Sequence, residues 1–193
     1  RLHYRGETLH VKIPLIGRHS VHTALRAAAV GLAEGMNWQE ILEGLNQGHT
    51  QLRLAAVRSE TGALLLDDTY NASPESMLAA LNLLDELDGR KVAVLGDMLE
   101  LGSGAMRMHE EVGAFVAQQG ISQLIACGPL GRGLAEGARR AGMDPTRVLE
   151  LPDAAAAASA VKTMAVSGDV VLVKASRGMK MERVVQALLG GGA

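Results

Sequence analysis

Residues 91–119 read KVAVLGDMLELGSGAMRMHEEVGAFVAQQ, and the order of features within this stretch decides the fold class. The apolar run at 91–95 predicts a buried strand. A polar loop that contains glycine comes next, and residues 106–119 then have the pattern of a helix. A strand, a loop and a helix in this order form the repeating unit of an α/β protein.

The same unit recurs on both sides of this stretch. Further strands are predicted at 63–66, 123–127, 147–149 and 170–173, and further helices at 74–87, 130–141, 154–165 and 179–189. Pro74 stands at a first-turn position, Asp153 can cap the helix after it, and Gly120 and Gly142 are placed to end helices. This alternation predicts a Rossmann-like, mostly parallel sheet with helices on both faces.

The first 50 residues have a different pattern. Residues 2–15 alternate apolar and polar side chains around Gly6, which predicts a hairpin, and residues 19–35 and 38–45 predict two helices. The polar stretch 46–51 (NQGHTQ) is interpreted as a linker, so we expect two domains, 1–50 and 53–193. Because the chain begins with Arg1 and at once has a strand pattern, we expect that an N-terminal portion is missing.

Composition excludes several classes of protein. Hydrophobic residues make up 48% and charged residues 21%, the balance of a soluble globular protein. A net charge of -2 gives no electrostatic reason to expect nucleic acid or an acidic membrane as partner. No apolar run reaches the roughly 18 residues of a membrane span. Cys127 is the one cysteine, which fits a reducing cytoplasm. We expect a cytoplasmic monomer that does not insert into a membrane.

Ligands of open parallel sheets bind beyond the carboxyl ends of the strands, so the polar clusters after the predicted strands are candidate sites. The first cluster is DDTYNASP at 67–74, where a carboxylate can accept the two hydroxyls of a ribose. A turn that caps a helix explains the same residue types equally well. Another cluster, KASRGM at 174–179, places Lys174 and Arg177 at a strand end next to a helix start. This position favours a bound anion over a solvated basic turn.

A further cluster, GDMLELG at 96–102, brings Asp97 and Glu100 near His109 of the following helix. Such a group can orient an ammonium substrate or a metal ion, but a solvated loop with a structural histidine is the favoured interpretation. Three motifs are absent from the sequence. It has no G-x-x-x-x-G-K-[ST] phosphate loop, and it has neither zinc-site spacing nor a G-x-S-x-G nucleophile motif.

Three segments in this order resemble the Mur ligase family of cell-wall amide ligases, in the branch that adds D-alanyl-D-alanine to a UDP-N-acetylmuramoyl-tripeptide. They are DDTYNASPESM (67–77), VLGDMLELG with the following HEEVG (94–102 and 109–113), and LVKASRGMKMERVV (172–185). The sister ligases carry other residues at these places. The resemblance covers nearly the whole chain.

The resemblance implies an ATP- and Mg2+-dependent ligase of peptidoglycan precursor synthesis, and so a part in cell shape and cell division. The tripeptide carboxylate is activated as an acyl phosphate, which the amine of the dipeptide attacks. Residues 1–50 resemble the end of the central ATPase domain, and 53–193 resemble the domain that closes over ATP. Mg2+ is then held mainly by the missing N-terminal part, with no metal ligand in this chain, and the isolated chain is expected to be inactive.

The resemblance also assigns nucleotide contacts. Asp68 would bind the ATP ribose, with Tyr70 and Asn71 in the same loop, and Arg53 would reach the nucleotide. His19, Ser20 and Thr23 belong to a segment whose family counterparts face the adenine. Ser20 and Thr23 stand where the family usually has asparagines.

Lys174, Ser176 and Arg177 would hold the dipeptide carboxylate or the acyl phosphate, which makes Lys174 and Arg177 the catalytic candidates. Asp97 and Glu100 are candidates for the dipeptide ammonium on the basis of charge. Two other functions compete with this one: a stand-alone Rossmann-like nucleotide- or anion-binding module, and a folate polyglutamate ligase. The N-terminal 50 residues argue against the first, and the GDMLELG and KASRGM segments against the second.

Overall fold

The computed structural model describes residues 2–4, 6–9, 19–47 and 54–190. The chain divides into two compact units, Arg1–Leu52 and Arg53–Ala193. In the first unit, β1 (Leu2–Tyr4) and β2 (Glu7–Leu9) pair antiparallel around Gly6, whose φ is +85°. This confirms the predicted hairpin up to Leu9, while residues 10–15 lie outside the described part.

The helices of the first unit are α1 (His19–Ala33) and α2 (Trp38–Gln47). A reciprocal cap begins α2, since Glu40 N–H donates to Asn37 Oδ1 at 3.0 Å and Asn37 N–H donates to Glu40 Oε2 at 2.8 Å. The predicted linker therefore starts too early, because residues 46 and 47 form the last turn of α2. Residues 48–51 lie outside the described part of the chain.

The second unit alternates strands and helices, which confirms the predicted α/β class. In chain order its elements are β3 (Ala55–Arg58), β4 (Leu64–Asp68), α3 (Pro74–Glu86), β5 (Arg90–Gly96), α4 (Ala105–Gln118), β6 (Gln123–Cys127), α5 (Gly131–Arg140), β7 (Val148–Leu151), α6 (Ala154–Met164), β8 (Asp169–Lys174) and α7 (Glu182–Leu188). The sheet order is β3-β4-β8-β5-β6-β7, and every pair is parallel except β3 with β4.

The sequence pattern does not predict strand β3. Its four residues, AAVR, contain no run of large apolar side chains, and three of the four are exposed. An edge strand of this kind is held by backbone pairing with β4 more than by a buried face, so its sequence carries little pattern.

The helices cover both faces of the sheet. Alternate side chains of β8, among them Val171 and Val173, join a core cluster with α6 and α7. The side chains between them, such as Leu172, lie in the buried layer on the other face, which is covered by α3, α4 and α5. Two-layer burial explains why β8 has a continuous apolar run.

The position of β8 creates a reversal in the sheet. The chain moves outward from β5 to β7, returns through α6, and inserts β8 between β4 and β5. Helix α7 then comes after β8 on one face, whereas α3 and α4 come after β4 and β5 on the other. Loops that leave neighbouring strands toward opposite faces mark a topological switch point, where α/β sheets bind ligands. We call the loops after β4, β5 and β8 (residues 69–73, 97–104 and 175–181) the switch-point edge.

Helices α4 and α5 pack closely through glycine. A Cβ added to Gly113 would overlap the carbonyl of Leu134, and one added to Gly137 would overlap the carbonyl of Glu110. Only glycine permits the two backbones to approach this closely. Within the described ranges, no helix has the length and apolar character needed to cross a membrane.

Candidate functional site at the switch-point edge

An ion pair joins two of the predicted site segments. Asp68 and Lys174 end adjacent strands and face each other in the β4–β8 register. Lys174 Nζ donates to Asp68 Oδ2 at 2.7 Å and to the carbonyl of Asn71 at 2.8 Å. The Lys174 side chain is 2% exposed and that of Asp68 is 13% exposed. A desolvated pair with good geometry is costly to break, so it fixes the loop after β4 to the end of β8.

The two adjacent aspartates after β4 have different tasks. Asp67 Oδ1 accepts hydrogen bonds from Thr69 N–H at 3.1 Å and from the Thr69 hydroxyl at 2.7 Å, which closes a local turn. Ser73 caps α3 in a reciprocal arrangement with Ser76. Asp67, Thr69 and Ser73 thus fit the interpretation as a turn and cap, whereas Asp68 makes a long-range contact that a turn does not require.

Tyr70 and Arg177 bring the same two loops together at the surface. The Arg177 guanidinium carbon lies 5.8 Å from the centre of the Tyr70 ring, within the range of a cation–π contact. Tyr70 is 46% exposed and Arg177 is also exposed. An aromatic face and a guanidinium are therefore offered to solvent beside the buried ion pair.

Ser176 joins the loop after β8 to the loop after β5. Its backbone N–H donates to the carbonyl of Asp97 at 3.0 Å, and its side-chain oxygen accepts the N–H of Leu99 at 2.9 Å. Ser176 is buried. Accepting a hydrogen bond does not use the hydroxyl proton, so the same group can donate to an anion at the switch-point edge.

Asp97 and Glu100, predicted as a pair, lie in different surroundings. Asp97 is 2% exposed, and its Oδ1 accepts the N–H of Leu130 at the start of α5 at 3.0 Å. Burial raises the pKa of the Asp97 carboxyl, against the lowering by the N–H groups of Leu130 and Gly131. Glu100 is exposed, with a left-handed φ of +64°. Across the described residues, no three His, Cys, Asp or Glu side chains group as metal ligands do.

Cys127 ends β6 beneath this edge and is buried. Burial, followed by the charges of Asp97 and Asp153, raises the pKa of its thiol to about 11. The side chain is then a thiol at neutral pH, and a thiol is a poor nucleophile. Cys127 belongs to the core and is not a candidate for covalent catalysis.

The remaining predicted residues are three in the first unit and Arg53, the first residue of the second. His19 and Ser20 begin α1, and Thr23 is exposed on the same helix. Arg53 lies outside the described residues. Their assignment to the nucleotide stays a prediction.

The loops of the candidate site can be predicted from the sequence, but the side chains that pair within it cannot. Lys174 and Asp68 are 106 positions apart, and their pairing depends on β8 lying beside β4. The available signal is that both residues directly follow apolar strands. That signal places each at a strand end but does not say which strands are neighbours.

Known proteins resemble this chain in sequence and in fold. The family described as "Mur ligase, glutamate ligase domain" matches residues 52–177. UDP-N-acetylmuramoyl-tripeptide–D-alanyl-D-alanine ligase of Bacillus subtilis (strain 168) is 39% identical over 180 residues, which make up 92% of this chain and 39% of that protein. This chain thus spans about two fifths of that relative's length.

Two solved structures share the fold. The crystal structure of MurF from Acinetobacter baumannii aligns with a TM-score of 0.79 and 31% identity, over 93% of this chain and 39% of that one. MurF from Thermotoga maritima, solved in complex with ADP, aligns with a TM-score of 0.74 and 26% identity, over 94% of this chain and 40% of that one. Since the family match spans well over half of its residues, the chain belongs to the Mur ligase family.

Proposed function

We propose that this chain is part of an ATP-dependent ligase that joins D-alanyl-D-alanine to UDP-N-acetylmuramoyl-tripeptide. The observation that carries the proposal is the Lys174–Asp68 ion pair, which joins two family-like segments at a topological switch point. The Bacillus subtilis relative, named for this reaction, supports the choice of substrates. The product is a peptidoglycan precursor, and the reaction belongs in the cytoplasm, a compartment that suits the unpaired thiol of Cys127.

The chemistry proceeds in two steps. The γ-phosphoryl group of ATP is transferred to the tripeptide carboxylate, which gives an acyl phosphate and ADP. The dipeptide amine then attacks the acyl carbon, the amide bond forms and inorganic phosphate leaves. Mg2+ would neutralise charge on the phosphoryl group. We assign Mg2+ and the phosphate loop to the part of the longer relatives that this chain does not span, since it covers 39% of the Bacillus subtilis ligase.

The loop after β4 forms the nucleotide side of the proposed site. Asp68, the last residue of β4, accepts hydrogen bonds from the ribose hydroxyls, and Tyr70 and Asn71 lie in the loop that follows it. Lys174 supports this loop, because its ammonium group holds both the Asp68 carboxylate and the Asn71 carbonyl. The ADP complex of the Thermotoga maritima relative supports a nucleotide as the ligand. His19, Ser20, Thr23 and Arg53 would complete the nucleotide contacts from residues 1–53.

The loop after β8 forms the dipeptide side. The Ser176 hydroxyl and the Arg177 guanidinium are the donors that we assign to the dipeptide carboxylate or the acyl phosphate, since both groups suit an anion. Lys174 takes part through its contacts with the nucleotide side. Of the two carboxylates proposed for the dipeptide ammonium, Glu100 is exposed, whereas Asp97 is directed toward α5. Glu100 is therefore the stronger candidate, and Asp97 acts by shaping the loop.

The two compact units correspond to two roles in this proposal. Residues 1–50 form the end of the central ATPase domain, and residues 53–193 form the domain that closes over ATP. By this division the 193-residue chain alone has no ligase turnover. In the whole ligase, residues 53–193 would bring the ribose contact of Asp68 and the dipeptide contacts of Ser176 and Arg177 to one reaction.

Arg177→Met in the ligase that contains this chain tests the dipeptide assignment. Loss of a charge-assisted contact of about 1.4 kcal/mol should raise the dipeptide KM about tenfold, as measured by phosphate release at saturating ATP. Arg183→Met is the matched control, because Arg183 is an exposed arginine of α7 outside the switch-point edge. Equal dipeptide KM values in the Arg177 variant and the control would contradict the assignment.

A further inference from the structure

His109 is a buried histidine that the proposed chemistry does not use. It lies on α4 with 0% exposure. Its Nε2 accepts the backbone N–H of Met98 at 2.9 Å, and its Nδ1 lies 2.6 Å from the carbonyl oxygen of Ala105. A peptide N–H can only donate and a carbonyl can only accept. The imidazole is therefore neutral, with its proton on Nδ1.

His109 and Ser176 bind two consecutive backbone N–H groups of the loop after β5. The N–H of Met98 is held by His109, and the next N–H along the chain, that of Leu99, is held by the Ser176 hydroxyl at 2.9 Å. Ser176 N–H in turn donates to the carbonyl of Asp97. The loop after β5 is thus fixed from one side by α4 and from the other by the loop after β8.

Packing holds the imidazole in this orientation. A Cβ added to Gly133 of α5 would lie 2.9 Å from the Cβ of His109, so the glycine provides the space that the histidine occupies. Met98, which donates to the ring, is fully buried. A ring packed this closely, with both nitrogens hydrogen-bonded, transmits its position to the backbone that it binds.

We propose that His109 is a positioning residue for the dipeptide carboxylate. By holding the N–H of Met98, His109 fixes the neighbouring N–H of Leu99, which donates to the Ser176 oxygen. The Ser176 hydroxyl accepts on the side that faces the loop after β5, so its proton is directed to the ligand. This inference rests on the proposed function, in which Ser176 donates to that carboxylate. His109 itself touches no substrate, but it orients the Ser176 hydroxyl, which does.

Two amide variants separate the two nitrogens of the ring. In His109→Gln, the side-chain oxygen can take the place of Nε2 and accept the Met98 N–H. In His109→Asn, the shorter amide can reach only the place of Nδ1, so the Met98 N–H loses its acceptor. In the whole ligase, we expect His109→Asn to raise the dipeptide KM about tenfold with kcat and the ATP KM within about twofold, and His109→Gln to restore most of the loss.

Ser176→Ala distinguishes failure of this inference from failure of the proposed function. An unchanged dipeptide KM in Ser176→Ala would remove Ser176 from the dipeptide site and overturn the proposed function there. A raised dipeptide KM in Ser176→Ala but not in His109→Asn would overturn only the role of His109. If both roles hold, the double variant has the dipeptide KM of Ser176→Ala alone, because the two changes interrupt one connection.

Nitrogen-15 NMR of the 193-residue chain tests the positioning without a substrate. We expect the wild-type spectrum at neutral pH to show an unprotonated Nε2 and a protonated Nδ1 for His109. We also expect faster exchange of the Leu99 amide hydrogen in His109→Asn than in His109→Gln. A protonated Nε2 in the wild-type chain would overturn the inference even if the Asn variant fails to fold.

Discussion

Strand β8 has a buried charged residue at each end, and the two ends are used differently. At the start, Asp169 binds Arg90 of β5 through two hydrogen bonds, Arg90 Nε to Oδ1 at 2.9 Å and an η-nitrogen to Oδ2 at 2.6 Å. At the end, Lys174 binds Asp68 and the carbonyl of Asn71 in the loop after β4. The first pair joins two neighbouring strands, β8 and β5. The second joins the end of β8 to the end of β4 and to the loop that follows it.

A buried charge therefore does not mark a functional site by itself. The same Arg90 guanidinium also donates to the carbonyl of Met164 at the end of α6, so every partner at this end of β8 belongs to the framework. The Lys174 pair lies where neighbouring strands send their helices to opposite faces, and an aromatic ring and a guanidinium lie beside it at the surface. Both ends of β8 carry a buried charge, so burial does not distinguish them; the position of the Lys174 end at the topological switch point does.

The largest effect is expected from Lys174→Met, which leaves Asp68 without its buried cation. We expect a loss of about 3 kcal/mol in the free energy of unfolding of the 193-residue chain. The reason is that a buried charge left without its partner destabilises the fold more than the absence of both charges does. Urea unfolding followed by far-UV circular dichroism measures this loss. The double variant Lys174→Met/Asp68→Asn should recover part of it. A double variant no more stable than the single one would contradict the pairing.

A smaller effect is expected from Asp169→Asn, because Arg90 is partly exposed and Asn keeps one acceptor. The loss should be about 1–2 kcal/mol at pH 7. The hydrogen bonds from Arg90 lower the pKa of Asp169 below its ordinary value. The stability they contribute is present above the unfolded pKa of about 3.9 and is lost as the pH falls through the folded pKa.

Stability measured from pH 7 to pH 2 tests this sign. The wild-type chain and the Asp169→Asn variant should differ at neutral pH and converge in acid. In the whole ligase the same variant should leave both the ATP KM and the dipeptide KM unchanged, which sharpens the contrast with Lys174. A raised ATP KM or dipeptide KM in Asp169→Asn would remove the distinction between the two ends.

Much of the fold can be predicted from local pattern. Strand β6 and the start of α3 agree with the sequence, and Asp153 caps α6 through Ala156 N–H at 2.9 Å as its position predicts. The apolar spacing predicts that the last helix begins at Met179, but it begins at Glu182. The reason is Lys180, whose left-handed φ of +53° separates a short 3-10 turn at Arg177–Met179 from α7. Apolar spacing does not reveal such a backbone angle.

The site is less accessible to sequence reasoning than the fold. The motifs identify three loops, but the partners within them depend on the order of strands in the sheet. Asp97 has the charge of a ligand for an ammonium group, yet it accepts the N–H of Leu130, 33 residues away. The sequence favours a structural role for His109, and its tautomer is fixed only by the backbone groups of Met98 and Ala105. Local patterns carry no information about such long-range contacts.

In the proposed site, the loop after β4 binds the nucleotide while the end of β8 holds that loop in place. The most direct test is the ATP KM of the whole ligase with Asp68→Ala, measured beside the dipeptide KM in the same preparation. We expect an ATP KM raised by about tenfold or more and a much smaller change in the dipeptide KM, because Asp68 contacts the ribose and not the dipeptide. An unchanged ATP KM in a folded Asp68→Ala enzyme would contradict this role of the loop.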